Sequence, residues 1–494
     1  MSDGFLLTKT DFLCGLSCPQ LLWFARREPG VLPIPDEWEN NGLHEGLEVG
    51  RMARHLYPGG VEIPWELLNF EKGLMMSQET VSRRRLSYEA GFIYNSAFAR
   101  ADILMPAPRG RWDLIEVKST SSVKGDHFWD VAFQRYVMEG AGLKIRRCWL
   151  MHINRRYFRE NELDMDRLFI REDITTEVSK YLPKIPGRIK EMMKNLKAGN
   201  RPYPDVTKAG CSPRHCEAAS NCWSFLPKRH VFLLYRDSGR RKAYELVKNG
   251  VYHLKEIPED FRLTDCQAIQ VECEKTGKPH VHKDEIRKFI EKLHYPLYFL
   301  DFETFATAIP RLSNSEPFEN IPFQYSLHVV EKPGGKEIHH SYLSDGIKDP
   351  RPEILARLRK QLGKSGSIIA YNKSYEQERI LQCSERFPQY WKWAKNLMPR
   401  FVDLLEPFQS FHIYHPAQNG SASLKSTLPA LTGKGYDKME IKDGAQASRA
   451  FMMLAFTDLS QPQRDRIRNR LEAYCCLDTG GMIEMLRQLK TLIR

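Results

Sequence analysis

An α/β protein with more than one domain is what this sequence of 494 residues predicts, and three stretches carry that reading. The first is YPLYFLDFETFA at 295–306. Its aromatic and aliphatic run has the length and composition of a buried central strand. The second is AFARADILMP (97–106), a Pro/Gly turn, RWDLIEVKSTSS (111–122), and then HFWDVAFQRYVMEGAGL (127–143), which reads as a hairpin followed by a helix. The third lies after residue 320, where strands at 321–330, 337–344 and 367–372 interleave with helical stretches at 352–362 and 373–382 and end in a long helix at 462–492. Domain bounds follow at 1–230, 231–294 and 295–494, the middle stretch reading as a bridge because it has no strong apolar period.

Residues 8–26 predict one amphipathic helix entered from an N-cap at Thr8 or Thr10. Residues 174–198 predict a Lys-rich helical segment, and residues 231–250 a short strand, a basic turn and a helix ending at Asn249-Gly250.

Charge and composition narrow the function classes. Lys and Arg number 74 against 62 Asp and Glu, a formal net charge of +12 that suits a polyanionic partner. Basic groups cluster at Arg83-Arg84-Arg85, Lys144–Arg147, Arg155-Arg156 and Arg240-Arg241-Lys242, so a phosphate-contacting surface is expected. No stretch of 18 apolar residues occurs, and MSDGFLLTKTDFLCG is not a secretory leader. The expectation is therefore a cytoplasmic protein without a membrane partner.

The acids are placed as a phosphodiesterase would need them. On a strand, residues two apart share a face, so Asp301 and Glu303 aim at one point. Carboxylates that close repel unless a cation lies between them, and Mg²⁺ or Mn²⁺ suits hard oxygen donors. Glu376 falls in the first turn of the helix after SIIAYN, at the mouth between strand end and helix start. Tyr474 and Asp478 are four apart on the terminal helix, hence on one face. In the N-terminal hairpin, Glu116 and Lys118 share a face that Asp102 on the partner strand can reach, and Gln134 follows on the next helix. Acids that bind a cation, with a lysine to steady charge on phosphorus, form a hydrolytic set.

Eleven cysteines in such a chain argue against a disulfide framework. Cys211, Cys216 and Cys222 have the spacing C-x4-C-x5-C, which fits neither a zinc ribbon nor a two-His finger. Three close thiols call for a distant fourth; Cys18 is the first candidate and Cys14 the reserve. Four thiolates suit either Zn²⁺ or an iron–sulfur cluster.

The hairpin with Asp102…Glu116-x-Lys118, followed by a helix with an early Gln134, resembles the RecB-like branch of the PD-(D/E)XK nucleases. That resemblance implies a restriction-endonuclease-like mixed sheet, with Gln134 supporting the active site. Where many of that branch carry a His four residues after a Gly on the second helix, this chain has Gly50 after Gly46. One cysteine near the start and three after the core resemble the iron–sulfur-bound nucleases, among them the CRISPR adaptation exonucleases and AddB-type helicase-nuclease subunits. By that resemblance a structural 4Fe–4S cluster, in preference to zinc, is held by Cys18, Cys211, Cys216 and Cys222.

The order Asp301, Glu303, Glu376, Asp478 resembles the DEDD 3′–5′ exonucleases of the DnaQ class, on an RNase H-like three-layer fold. YNKSYE stands where that family shows Asn-x-x-Phe-Asp, with Glu376 for Asp, and YCCLD fits its tyrosine variant. The resemblance implies that the four acids hold two metal ions and that Tyr474 orients the attacking water. The whole chain resembles a bacterial family of uncharacterised fused nuclease proteins. The implied function is metal-dependent hydrolysis of nucleic acid, DNA in preference to RNA, in processing, repair or defence. The competing reading is a nucleic-acid-binding scaffold or clamp in which one or both centres are silent.

Overall fold

The protein is a mixed α/β chain, and its computed structural model describes residues 6–33, 40–198, 201–202, 211–213 and 216–494, with residues 40–44 in backbone only. It divides into two compact units. Unit 1 comprises residues up to Trp223 together with Thr307–Glu319, and unit 2 comprises Ser224–Ala306 and Asn320–Arg494. Two differences from the sequence-based bounds stand out. The stretch 231–294 belongs to unit 2 rather than forming a separate bridge, and thirteen residues between two strands of unit 2 belong to unit 1. Ala308, Ile309 and Phe318 in that excursion pack with Val49, Ile103, Ile115 and Tyr157. An apolar cluster assembled from such distant positions leaves no local signature.

Unit 1 is built on a seven-stranded sheet. Its strands are β1 (Leu7–Thr8), β2 (Val61–Glu62), β3 (Ser87–Tyr94), β4 (Ala97–Ala107), β5 (Arg111–Lys118), β6 (Ile145–Ile153) and β7 (Phe169–Asp173). They run in the order β2-β3-β4-β5-β6-β7, with β1 beside β4. The hairpin β4–β5 is antiparallel, and β5 pairs parallel with β6. The helices used below are α1 (Lys9–Ser17), α2 (Pro19–Arg27), α3 (Asn40–Arg54), α4 (Phe70–Ser82), α5 (Gly125–Gly140) and α6 (Ile185–Lys197).

The expected single helix at 8–26 is two helices. Thr8 caps α1, its hydroxyl accepting from Asp11 N–H while the Asp11 carboxylate accepts from Thr8 N–H. Cys18 is extended (φ −158°, ψ 122°), and Pro19, which cannot continue a helix, opens α2. Likewise, Val231–Leu233 is a 3₁₀ turn rather than a strand, and the basic run Arg240–Lys242 lies inside a helix, Arg236–Lys248, rather than in a turn.

Unit 2 holds a five-stranded sheet of order β11-β10-β9-β12-β13. These are β9 (Leu297–Phe305), β10 (Ile321–Val330), β11 (Glu337–Leu343), β12 (Ser367–Ala370) and β13 (Phe401–Asp403). A separate two-stranded ribbon pairs β8 (His280–Val281) with β14 (Ile413–Tyr414). Strand β9 is central, antiparallel to β10 and parallel to β12. One of its faces, Tyr298, Leu300 and Phe302, enters a core with Tyr325, Leu327, Ile354 and Leu358. The other presents Asp301 and Glu303. Five helices frame that sheet: α7 (Arg351–Gln361), α8 (Lys373–Arg386), α9 (Leu424–Thr432), α10 (Gly444–Phe456) and α11 (Gln461–Leu492). Helix α11 lies on β9 and β10, and α10 on β9. Among the described residues no helix is long and apolar enough to cross a membrane.

The back face of β9 carries the sheet. Leu300 is fully buried there, so Leu300→Ala removes its transfer energy and leaves a cavity. The expected cost is about 2–5 kcal/mol; urea denaturation followed by circular dichroism measures it, and a loss within noise would refute the central packing of β9.

Candidate functional site

Unit 2 brings four acids from three elements together. Asp301 and Glu303 stand on β9, Glu376 in the first turn of α8, and Asp478 on α11. Glu303, Glu376 and Asp478 are buried, and Asp301 is half-buried. The start of α8 is pinned by Asp403 at the end of β13. Its carboxylate accepts from Asn372 N–H at 2.9 Å, Lys373 N–H at 3.2 Å and Leu405 N–H at 3.0 Å. Asn372 takes the left-handed conformation there (φ +73°), which turns the chain out of β12 into the helix that carries Glu376.

Crowding sets the electrostatics. Burial first, and then Asp478, raises the Asp301 carboxyl well above its usual range. Burial, followed by Asp301, does the same to Glu303 and to Glu376. Burial pushes Asp478 up to about 6, opposed by the Tyr436 hydroxyl that donates to it and by Lys425. Oε2 of Glu376 is buried with no hydrogen-bond partner. Hard oxygen donors that are buried, mutually repelling and in one case unpartnered fit a divalent cation.

Around the acids lie groups that sequence reasoning passed over. Lys425 on α9 sits 5.9 Å from the Tyr436 ring and 5.6 Å from that of Tyr474. Cys475 Sγ points at Asp301 Oδ2 over 3.6 Å. Gly444, at the start of α10, brings its backbone near Glu303; a Cβ there would lie 3.5 Å from Oε2. Tyr474 has its phenol raised by burial and then by Asp478 and Glu303, so it stays protonated at neutral pH. The segment GSASLKSTLPALTG predicts a helix over the site without singling out Lys425, and no spacing rule ties Tyr436 to Asp478, 42 residues away.

Unit 1 brings its predicted residues together as well. Val117 N–H donates to Asp102 at 2.8 Å. Lys118 Nζ reaches Glu116 Oε1 at 2.7 Å, and Gln134 Nε2 reaches Glu116 Oε2 at 2.7 Å. Two unpredicted residues complete the cluster. Asp130 accepts from Lys118 at 2.5 Å and from Gln134 at 2.8 Å. Lys9 on α1 places its ammonium 2.6 Å from Glu116 Oε1 and 3.6 Å from Asp130. Asp130 was within reach of sequence logic, one helical turn before Gln134. Lys9, 107 residues from Glu116, was not.

Burial acts against the Glu116 anion, yet Lys118 and Lys9 overrule it and hold the carboxyl well below its usual range. At Asp102 burial and then Glu116 outweigh the attraction of Lys9 and push the carboxyl up to about 7. The three carboxylates suit a hard cation, but both oxygens of Glu116 are already taken, one by two ammonium groups. A metal ion fits here only once Lys9 has withdrawn. A 270 Å³ hollow beside Lys9 and Asp102 is lined by Trp65, Phe98 and Arg100.

Three of the four predicted cysteine ligands act electrostatically on the fourth. Cys222 has its thiol pushed up to about 11 by burial and then by Cys216, Cys18 and Cys211. Cys14, the reserve, is pushed up to about 12 by burial, Asp11 and Cys18. Cys216 and Cys222 pack on Trp23, Phe24 and Ala218, so the thiols sit against the α2 face. Partly buried thiols that resist ionising alone are soft donors of the kind a zinc or iron–sulfur centre uses.

Comparison with known proteins gives limited company. A family described as "Domain of unknown function (DUF2779)" matches residues 298–423, the stretch from β9 past β13 to just before α9. "Uncharacterized protein MG366" of Mycoplasma genitalium is 24% identical over 222 residues, 41% of this chain and 33% of that protein. "Uncharacterized protein UU173" of Ureaplasma parvum is 23% identical over 226 residues, 41% of this chain and 32% of that protein. The chain thus spans about a third of the length of these relatives. A solved structure titled "Crystal structure of SSO0001" covers 46% of this chain and 89% of its own at 13% identity, with a TM-score of 0.21, too low to carry a fold argument.

The raised carboxyls of unit 2 have a pH consequence. The native state keeps protons that the unfolded chain has already lost, so without a cation stability falls as pH rises from about 4 through the raised folded values. Asp301→Asn is therefore expected to raise Tm in chelator at pH 8 and to flatten the dependence on pH. Each kcal/mol recovered is about 2–4 °C for a domain of this size. A lower Tm for the variant at pH 8 would overturn the like-charge account.

Proposed function

We propose that the protein is a metal-dependent nuclease. It would hydrolyse phosphodiesters at the unit 2 acids in the manner of a DEDD 3′–5′ exonuclease on an RNase H-like sheet. A PD-(D/E)XK-like centre in a restriction-endonuclease-like unit 1 would be joined to it. The observation that carries this reading is the convergence of Asp301, Glu303, Glu376 and Asp478, three of them buried and the fourth half-buried, short of countercharge, with one carboxylate oxygen of Glu376 unpartnered. Asp301, Glu303, Glu376 and Asp478 would hold Mg²⁺ or Mn²⁺. When bound, the metal lowers the pKa of water and stabilises charge on the phosphoryl oxygens.

The chain's own groups divide the remaining work. Tyr474 stays a neutral phenol, so it can orient a water through its hydroxyl but cannot take its proton. Tyr436 spends its hydroxyl on Asp478 and fixes that carboxylate's rotamer. Lys425 acts on Asp301, Glu303 and Asp478, Arg379 acts on Glu376, and Lys425 would meet a phosphate's negative charge. The net charge of +12 suits a nucleic-acid partner, and the resemblance puts DNA ahead of RNA. Cys18, Cys211, Cys216 and Cys222 would hold a 4Fe–4S cluster, zinc being the alternative.

A second reading applies to unit 1. With Lys9 on Glu116 and Asp130, that cluster resembles a charge-neutralised clamp as much as a cutting centre. Unit 1 would then bind nucleic acid and leave hydrolysis to unit 2.

The deciding measurement is a digestion panel of end-labelled DNA and RNA with Mn²⁺. Asp301→Ala is expected to abolish digestion of single strands from the 3′ end, whereas unchanged digestion would show that the unit 2 acids are silent. Lys118→Ala is expected to remove a separable activity; no change on any substrate would leave unit 1 as a clamp. Anaerobically purified protein is expected to be brown and to contain iron, and a colourless preparation with stoichiometric zinc would rule out the cluster.

A further inference from the structure

A different donor set lies on the front face of the unit 2 sheet, outside the four acids. His328 on β10 and His339 on β11 are directly opposite each other in the antiparallel register. Their side chains therefore emerge on one face, with Cβ atoms about 4.5–5.5 Å apart. The rings stack at 4.3 Å between centroids with 22° between planes. Helix α11 crosses above them and contributes Cys476, whose sulfur lies near the two rings while that of its neighbour Cys475 lies near Asp301. One donor atom from each of His328, His339 and Cys476 lies within 4.8 Å of the others.

Hydroxyl groups hold both rings from behind. His328 Nδ1 meets Thr479 Oγ1 at 2.8 Å, and His339 Nε2 meets Ser326 Oγ at 2.9 Å. Ser326 and Thr479 are themselves bonded at 2.6 Å. Fixing one nitrogen of an imidazole orients the ring and commits the opposite nitrogen, which is how metal-binding histidines are usually supported. His328 is buried, whereas His339 is exposed and Cys476 half-buried, so an ion has a path from solvent.

We propose that His328, His339 and Cys476 form a site for a borderline-soft divalent ion of the zinc class, distinct from the acid site. The donors are two imidazole nitrogens and one sulfur, a set that selects Zn²⁺-type ions over Mg²⁺ or Mn²⁺. Zinc bonds of about 2.0–2.3 Å place tetrahedral donors about 3.3–3.7 Å apart, so the cluster has at most about 1.5 Å to close. His339, exposed at its strand, can tilt out of the parallel stack to do so. Binding forms one metal–sulfur bond and releases the Cys476 thiol proton to solvent, and the fourth position takes water. The ion would staple α11 to β10 and β11 and so fix the helix that carries Tyr474 and Asp478. The inference does not depend on the nuclease reading.

Cobalt(II) reports such a site directly. Full-length protein is stripped of loosely held metal with chelator, titrated anaerobically with Co²⁺, and compared with Cys476→Ser and His339→Asn. Both variants keep Cys475 and the cysteines of unit 1, so differences belong to this cluster alone. His339 is exposed, so its variant is expected to fold, and circular dichroism checks that it has. The wild type is expected to hold one Co²⁺ per chain more than either variant. It should also show a stronger near-ultraviolet thiolate-to-cobalt band, displaced by one equivalent of Zn²⁺. Equal stoichiometry and equal spectra in all three proteins would overturn the site.

Discussion

Like charges crowded out of water govern unit 2. Two carboxylates about 4 Å apart repel by roughly 4 kcal/mol at an effective dielectric of 20, more than a helix end or a single hydrogen bond returns. Asp301, Glu303, Glu376 and Asp478 face that cost together, with Lys425 as a nearby cation and Tyr436 as a donor to one of them. Protons retained on the raised carboxyls relieve that cost, and a bound cation would relieve it in their place. The rest of the unit follows: a central strand packed hard on its back face, a helix start pinned by Asp403, and a terminal helix laid across the front.

Unit 1 meets the same problem differently. There Lys9 and Lys118 divide one carboxylate oxygen between them, and Gln134 takes the other. The cation is built into the chain, and Lys9 also draws on Asp102, though too weakly to offset burial and Glu116 there. The contrast explains why the two clusters point in different functional directions although both unite acids with a lysine. In unit 2 the acids outnumber the local cations; in unit 1 α1 delivers an ammonium to them. The position of α1 is itself a matter of local chemistry, because the Thr8–Asp11 capping box starts the helix at Lys9.

Much of the candidate site was readable because short-range periodicity does the work. Asp301 and Glu303 share a face by the two-residue repeat of a strand, and Tyr474 and Asp478 by the four-residue turn of a helix. Glu116 and Lys118 follow the first rule, and Thr8 announces α1 by its capping pattern. The apolar period of 8–26 continues through Cys18-Pro19 and reads as one helix, although the backbone breaks there. The stretch 231–294 has no strong apolar period and so reads as a separate bridge. Yet Tyr235 N–H donates to Gln270 and the Tyr235 hydroxyl donates to the Gln409 carbonyl, so that stretch is part of unit 2.

Strand and helix identity, the pairing of acids two or four apart, and the excess of positive charge were set by the order of residues, since each depends on neighbours within one turn or one strand. Tertiary structure alone decided that Lys9 would reach Glu116, that Lys425 and Tyr436 would attend Asp478, that residues 307–319 would join unit 1, and that His328 and His339 would stand opposite each other beneath Cys476. The reason is physical. Periodicity fixes which way a side chain points from its own element, but contacts across scores of residues depend on sheet register and helix packing, which are settled by burying apolar surface over the whole unit.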